Sequence, residues 1–458
     1  MNRCRLALAL SLIISPLAAR SADLMQVYDM ARSGDTQLAI AESNRLSTLE
    51  GQVQARAALL PQVNGNAAVG RTRQEISGVP ITGNVRSRQF GLEAGQTLFD
   101  WSRFANLRAQ RELSRAADFT LEAANDDLIM RTSATYFNVL IAIESLAAAQ
   151  SNETAAQKQY DYAQKRLAVG LAPITDMHEA RAQYDQARAD TILARNALED
   201  ASQALAELTG QSLGNTANDS AHNLRDLRGL PEDFRPQLPE GRGDVEQLVA
   251  NAVAQNPLIR AQQLQVGAAE SSIAAARAQH YPNLSLRANW SKQNQSGRTA
   301  PRGEPATDIT ANSISLNLNI PIFAGGAVQS GVRQALAQRD IAQEVLEQQR
   351  RQLDRRTRNA WQSLVAGISE VEARRLAVVS AQSAYDASQI GLEVGTRTVL
   401  DVVQNQRTLF QAQLMYVQAK YQFLQNHLAL EQALGTLDIE VLQNINRLLT
   451  QAKNSAGS

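Results

Sequence analysis

NSISLNLNIPIFAGG, residues 312–326, changes character partway along, and that change decides the architecture. Ile314, Leu316, Leu318, Ile320 and Ile322 alternate with Ser315, Asn317 and Asn319, the two-residue period of a strand with one apolar face. From about Val328 to Ile390 the period becomes helical, punctuated only by Gly331 and Gly367. Just upstream, Leu284, Leu286, Ala288 and Trp290 alternate with Asn283, Ser285, Arg287 and Asn289. Strands of ~10 residues with this pattern are the kind that cross a membrane in a closed barrel. An exposed edge of a soluble β-sandwich shows the same alternation.

The same order of elements occurs earlier in the chain. Phe90, Leu92, Ala94 and Leu98 repeat the alternation, residues 62–73 repeat it weakly, and from Trp101 to about Arg166 no proline or glycine interrupts a helical run. Ala117, Leu121, Ala124 and Leu128 keep the 4-3-4 spacing of a helix seam. At 1.5 Å rise, about 65 residues make a rod of ~100 Å. Pro61 and Pro282 are 221 residues apart, and Phe99 and Phe323 are 224 apart. Gly170 and Gly395, Asp176 and Asp401, and Gly210 and Gly435 are each 225 apart, so the chain is a duplicated unit.

Each half reads helix, strand, strand, long helix, tight turn, helix. The expected organisation is a leader at 1–21, a first repeat at 22–210 with strands near 62–73 and 88–99, and a linker at 211–243. A second repeat follows at 244–437 with strands near 283–293 and 312–322, then a segment at 438–458. Shorter helices are expected at about 36–60, 176–209, 244–280 and 398–434. The linker and the stretch after Leu437 are expected to be irregular, with disorder in the last residues.

Arg3 and Arg5, the apolar run Leu6–Ile14 and small residues up to Ala22 make the leader a secretory signal too short to span a membrane. The single cysteine, Cys4, leaves with it, so the processed chain has no disulfide framework or thiolate site. Loss of three arginines leaves a net charge of about −3, which is no nucleic-acid footprint. Aromatic residues are only 5% of the chain, a composition that favours long helices over one thick core. No segment of the processed chain offers 18 uninterrupted apolar residues, so a membrane crossing would need a closed barrel. Four isolated strands cannot close one, whereas three chains would supply twelve.

LMQVY at 24–28, ATYFNVL at 134–140, ARAQYD at 180–185, VVSAQS at 378–383, VGTRT at 394–398 and ALGTL at 433–437 occur in a specific order. VGL and ITD within 169–176 belong to the same series. In these residues the chain resembles the TolC family of outer-membrane factors over about 24–445. The resemblance implies a mainly α fold with a transmembrane β-barrel contribution: four strands and long coiled-coil helices per chain, and a homotrimer with a twelve-strand barrel and a twelve-helix tunnel. It also implies a location in the outer membrane among its lipids, extending into the periplasm. Expected partners are a periplasmic adaptor (membrane fusion protein) and an inner-membrane transporter of the RND, ABC or MFS class. The function would be a passive exit duct for drug efflux, type I protein secretion or both.

The turns at 168–176 and 393–401 join antiparallel helices. Gly170 and Gly395 read as helix stops, and Asp176 with Glu179 and Thr398 with Asp401 have capping-box spacing. The resemblance places these turns at the periplasmic tip, with Val169, Gly170, Leu171, Val394, Gly395 and Thr396 where an adaptor docks. Gln159, Thr175, Asp176 and Arg397 match residues that hold the tip closed. Leu392 stands where the family has a gate tyrosine, which removes a hydroxyl bond to the Asp176 position. Asp401 matches the first of two aspartates ringing the narrowest point, and Gln404 stands at the second, so a cation constriction is expected at Asp401.

His178, His222, His280 and His427 lack metal-ligand spacing, and no GxSxG, HExxH or P-loop pattern occurs. Catalysis and cofactors are not expected. Tyr136 and Trp361, equivalent across the repeats, read as packing anchors. A periplasmic coiled-coil scaffold without a channel is the competing reading; it accounts for the rods but not for the strands.

Overall fold

The structure is a computed structural model that describes residues 23–75, 82–171, 173–210, 227, 229–231, 234–238, 244–297 and 307–450. The leader, His222, most of the 211–243 linker and the tail after 450 lie outside the described residues. The first repeat contains α1 (Leu24–Gly34), α2 (Thr36–Ala57), β1 (Gln62–Glu75), β2 (Thr82–Phe99), α3 (Trp101–Ala168) and α4 (Ile174–Thr209). The second contains α5 (Val245–Gln255), α6 (Pro257–Ala278), β3 (Asn283–Gly297), β4 (Thr307–Asn319), α7 (Ala327–Glu393) and α8 (Val399–Leu434), and α9 (Ile439–Thr450) follows. The duplication extends to helix length: α1 and α5 have 11 residues, α2 and α6 have 22, and α4 and α8 have 36.

Three local features depart from the sequence reading. The helix expected over 244–280 is two helices, because Pro257 cannot extend a preceding helix and starts the next one. Asn256 caps that start by accepting from the Leu258 amide at 3.0 Å. The stretch after Leu437, expected to be irregular, is the helix α9. Asp438 accepts from the Val441 amide at 2.9 Å, and Leu442, Ile445 and Leu449 form a stripe that is at most 1% exposed. Strand β4 ends at Asn319, leaving Ile320 and Ile322 outside it, since Pro321 has no N–H to donate to a ladder.

The chain divides into two compact units, and α3 and α7 contribute residues to both. Unit 2 (39–124 and 253–354) contains the sheet, antiparallel in the order β1-β2-β3-β4. Its register sorts side chains by face. From the helix end, cross-strand rows on one face read Phe99/Leu284/Leu318, Gln96/Leu286/Leu316, Val63/Ala94/Ala288/Ile314 and Gly65/Leu92/Trp290/Asn312. The other face carries Asn64/Glu93/Asn289/Ser313 and Asn66/Gly91/Ser291/Ala311. A β-bulge between Thr97 and Phe99 sets Phe99, rather than Leu98, opposite Leu284 on the apolar face. The described residues leave that face uncovered: Ile314 is 80% exposed and Val69 80%.

Unit 1 (1–38, 125–252 and 355–458) holds most of the largest fully buried side chains. Leu24, Val27, Tyr28 and Ala31 of α1 are buried, as are Tyr136, Phe137 and Leu140 of α3, Tyr421, Leu424 and Leu428 of α8, and the α9 stripe. Tyr136 is fully buried, while Trp361 is half-buried. The Leu24 amide donates to Asn446 Oδ1 at 3.2 Å, so the first and last described helices are neighbours. The Tyr421 hydroxyl donates to Glu144 Oε1 at 2.5 Å and accepts from the Leu230 amide at 3.3 Å, fixing a described piece of the linker onto α3 and α8. Lys420, nearly buried, pairs with the other Glu144 oxygen at 3.1 Å.

Between α1 and α2, Asp35 receives both guanidinium nitrogens of Arg131 at 2.9 and 2.8 Å and caps α2 by accepting from the Leu38 amide at 2.8 Å. Its side chain is only 5% exposed. The bonds from Arg131 hold the Asp35 carboxyl below its usual range. Asp35→Ala removes the cap and takes one of two carboxylate partners from Arg131, which is 26% exposed and also pairs with Asp127, and should cost about 1–2 kcal/mol in thermal unfolding. Because the folded pKa is lowered, the contribution is complete above the ordinary carboxylate range. It should be lost as pH falls through the lowered pKa, and the variant's deficit should shrink in parallel.

Candidate functional site

Both repeats turn from long helix to short helix by the same backbone device. Gly170 takes φ +75° and Gly395 φ +78°, left-handed values that a residue with a Cβ adopts at a cost. The Gly170 amide donates to Leu167 O at 3.0 Å and the Leu171 amide to Arg166 O at 2.8 Å. In the second turn Gly395 donates to Leu392 O at 3.3 Å and Thr396 to Gly391 O at 2.8 Å. These are the paired bonds of a Schellman stop, which satisfy carbonyls that a helix end otherwise leaves open. No atom lies within 4 Å of a Cβ built at either glycine, so the requirement is conformational rather than spatial. Val169, Leu171 and Val394 flank the glycines and are 67–68% exposed.

The two helix starts differ. At α8 the capping box is complete. Thr398 N and Thr398 Oγ1 both donate to Asp401 Oδ2 at 2.9 Å, and the Asp401 amide donates back to Thr398 Oγ1 at 3.2 Å. At α4 the Asp176/Glu179 box does not form. The helix begins earlier, at Ile174, with Pro173 as N-cap and no side-chain cap bond, which places Asp176 inside the first turn. There it favours the positive end of the helix dipole.

The candidate gate residues fall into two sets. Leu392 is 7% exposed and packs with Ala163, Ala180, Val399 and Val402, where Tyr160, Tyr385 and Val403 complete the cluster. At this candidate gate position the chain therefore has an apolar anchor joining the ends of α3, α4, α7 and α8. A groove of about 760 Å³ beside it is lined by Gln159, Lys158, Tyr385, Gln389 and Glu393. Burial raises the Tyr385 hydroxyl pKa, and nearby Asp386 adds to the shift. Among the described residues, the buried Gln159 amide nitrogen has no hydrogen-bond acceptor.

Arg397, Thr175 and Gln404 are exposed and Asp176 is half-buried. Thr175 Oγ1 reaches Asp176 Oδ1 only at 3.5 Å, and Arg397 Nη1 lies 4.0 Å from Asp401 Oδ1. Within one chain no ion pair or hydrogen bond joins Arg397 to Thr175 or Asp176 among the described residues. Asp401 divides its oxygens: Oδ2 is used by the cap, while Oδ1 is left to Arg397 and solvent. Hydrogen bonds from the Thr398 backbone and side chain, helped by Arg397, hold its carboxyl below the usual range.

The sequence reading missed Gly391. A Cβ there would lie 2.6 Å from Arg397 Cγ and 3.2 Å from Arg397 Cβ, so the arginine stem rests on this glycine. The Gly391 carbonyl also accepts from the amides of Thr396 and Arg397 and from Thr396 Oγ1. A glycine one helical turn before the stop at Gly395 was the available signal. The equivalent residue in the first repeat is Arg166, which secures its own turn by donating to Leu171 O at 3.2 Å.

The sequence model of the outer membrane efflux protein family matches residues 27–211 and 248–436. The chain is 33% identical over 440 residues to the outer membrane protein TolC of Escherichia coli K12, covering 94% of this chain and 86% of that one. It is 25% identical to the proteases secretion protein PrtF of Dickeya chrysanthemi over 96% of this chain and 93% of that one. The crystal structure of the Campylobacter jejuni CmeC outer membrane channel superimposes with a TM-score of 0.74 at 19% identity, covering 93% of this chain and 89% of that one.

Proposed function

The chain belongs to the outer membrane efflux protein family and is an efflux channel of the outer membrane, and from that premise we propose that three copies close one passive duct. One observation carries this reading: a four-stranded sheet whose outer strands β1 and β4 pair with nothing else among the described residues, which also leave its apolar face uncovered. In lipid each unpaired edge N–H and C=O costs several kcal/mol, and joining β4 of one copy to β1 of the next removes every edge at twelve strands. Each chain also brings two helices of 68 and 67 residues, α3 and α7, and three copies together would supply the helices of a twelve-helix periplasmic tunnel. A coiled-coil scaffold would leave the apolar sheet face in water.

In this reading the duct performs no catalysis. A periplasmic adaptor docks on the two glycine turns and couples the duct to an inner-membrane transporter of the RND, ABC or MFS class. PrtF, by its name, serves protease secretion, so exported proteins stand beside small molecules as candidate cargo. Deleting the gene and profiling drug susceptibility together with the secreted proteome separates the two.

Purified in detergent, the protein should run as a trimer by cross-linking and by mass, and membrane fractionation should require detergent for its release. A stable monomer inserted in membranes would defeat the architecture.

We further assign the closed state to contacts between neighbouring copies at the tip. Arg397, unpaired with Thr175 or Asp176 in its own chain, is free to reach them in the next copy, and its planar fork suits a hydroxyl and a carboxylate together. Arg397→Ser should raise single-channel conductance. Gly391→Ala, which displaces the arginine stem without removing its charge, should raise it in the same direction. One wet ion pair contributes only about 0.2–1 kcal/mol, but three symmetric copies act on one gate. Unchanged conductance in both variants would remove Arg397 from the latch.

A further inference from the structure

The rows of the sheet beyond Trp290 change in kind while staying on the apolar face. They read Ala67/Phe90/Lys292/Thr310, Val69/Arg88/Asn294/Asp308 and Arg71/Arg86/Ser296, and Arg73 stands one row further toward the loops. Arg71, Arg73, Arg86, Arg88 and Lys292 are all exposed. At the same height the described strand residues of the opposite face carry no charge, in rows such as Ala68/Gln89/Gln293/Ile309 and Gly70/Ser87/Gln295/Thr307. The basic residues thus continue the apolar band on the same face.

Arg71 and Arg86 are direct cross-strand partners, an arrangement of like charges that weakens a sheet unless an anion sits between them. Among the described side chains the one carboxylate in these rows is Asp308, and it already accepts a hydrogen bond from Asn294. The counter-charge is therefore not supplied by the chain's described residues. If the apolar rows meet lipid tails, the rows directly beyond them lie at headgroup level, at the end of the sheet that carries the loops.

We propose that Arg71, Arg86 and Arg88, with Arg73 and Lys292 beside them, form a binding surface for the phosphate groups of a phosphorylated glycolipid in the outward leaflet. Guanidinium forks engage phosphate oxygens bidentately, and basic residues beside an apolar membrane surface are drawn to anionic headgroups. This rests on the barrel reading above, since only a lipid-facing sheet brings that face to headgroups.

The test uses the intact protein in neutral detergent, with binding of bisphosphorylated lipid A followed by native mass spectrometry. The variant Arg71→Gln/Arg86→Gln/Arg88→Gln should weaken binding roughly 100-fold, at about fivefold per basic residue. Arg287→Gln, which removes a charge from the other face of the same sheet, should leave it unchanged. Equal loss in both variants, equal binding of dephosphorylated lipid, or equal displacement by phosphatidylglycerol or inorganic phosphate would overturn the proposal. Insertion into phosphatidylcholine vesicles needs only the apolar band and reports on the barrel separately. Failure to insert overturns the barrel and this surface with it, whereas insertion without phosphate preference overturns the surface alone.

Discussion

Leucine at Gly395 or Gly170 should abolish export while leaving the trimer intact. Both glycines hold left-handed φ values, so any Cβ introduces backbone strain of about 1–2 kcal/mol, and both sites are open, so no collision adds to it. Helices of 68 and 67 residues on one side and 36 on the other absorb a strain of that size without unfolding. What changes is the path of the turn and the surface between Val169 and Leu171, or beside Val394, which is the proposed seat of the adaptor. Complementation of a deletion strain should show near-complete loss of drug resistance for either leucine variant, with normal trimer by cross-linking. Gly395→Asn tests the conformational half of the argument. Asparagine visits the left-handed region more readily than other residues, so it should retain more export than leucine does. Leucine variants that export normally would place docking elsewhere.

The second large effect is expected at Asp401, where the structure shows a cap and the proposed assembly adds a constriction. Three Asp401 carboxylates around a narrow axis would concentrate cations and admit a multivalent one. Two substitutions separate the roles. Asp401→Asn keeps an oxygen for the Thr398 amide but removes the charge, and should lower cation selectivity and abolish block by added trivalent cations. Thr398→Ala breaks the cap, at a cost of about 1 kcal/mol to the start of α8, yet keeps the carboxylate, and should preserve both. Gln404→Asp, adding a second anionic ring, should strengthen block. The capping bonds lower the Asp401 pKa in the single chain, while three converging carboxylates would push it upward. Selectivity should therefore persist at neutral pH and fade as pH falls through that pKa. Planar-bilayer recordings from the periplasmic side decide it: wild-type selectivity and block in Asp401→Asn would leave the aspartate as a cap and nothing more.

The large elements were legible because their punctuation is local. Glycine at 170, 210, 395 and 435 marks helix ends where a left-handed residue is needed, and the two-residue alternation at 284–290 and 314–318 survives as paired strands. Features decided by tertiary contact were not legible. Asp35 breaks a helix because it has Arg131 to bind, 96 residues away. Helix α9 forms because α1 buries its stripe. The Asp176/Glu179 spacing suggests a cap, but Pro173 starts the helix first. At the candidate gate, Leu392 is visible in the sequence as a departure from the family, but its place in an apolar cluster is not. Gly391 offers only its place one turn before Gly395, and its role appears when Arg397 is seen lying across it.

The neighbourhood of Leu24 and Asn446, 422 residues apart in sequence, sets the order in which the chain can fold. Its thermodynamic penalty is small, because loop-closure entropy grows only with the logarithm of loop length. A tenfold longer loop costs about 2 kcal/mol more. The kinetic penalty is larger, since contacts this distant form late. Strands β1 and β2 can pair as a hairpin as soon as residue 99 is available, but the core around α1 stays open until α9 arrives at the far end of the chain. The last described helix, of 12 residues, therefore acts as a timer. Until it docks, α1 lacks one of its walls, so the interval in which this core is most exposed to misassembly is ended by the last described segment of the chain to be made.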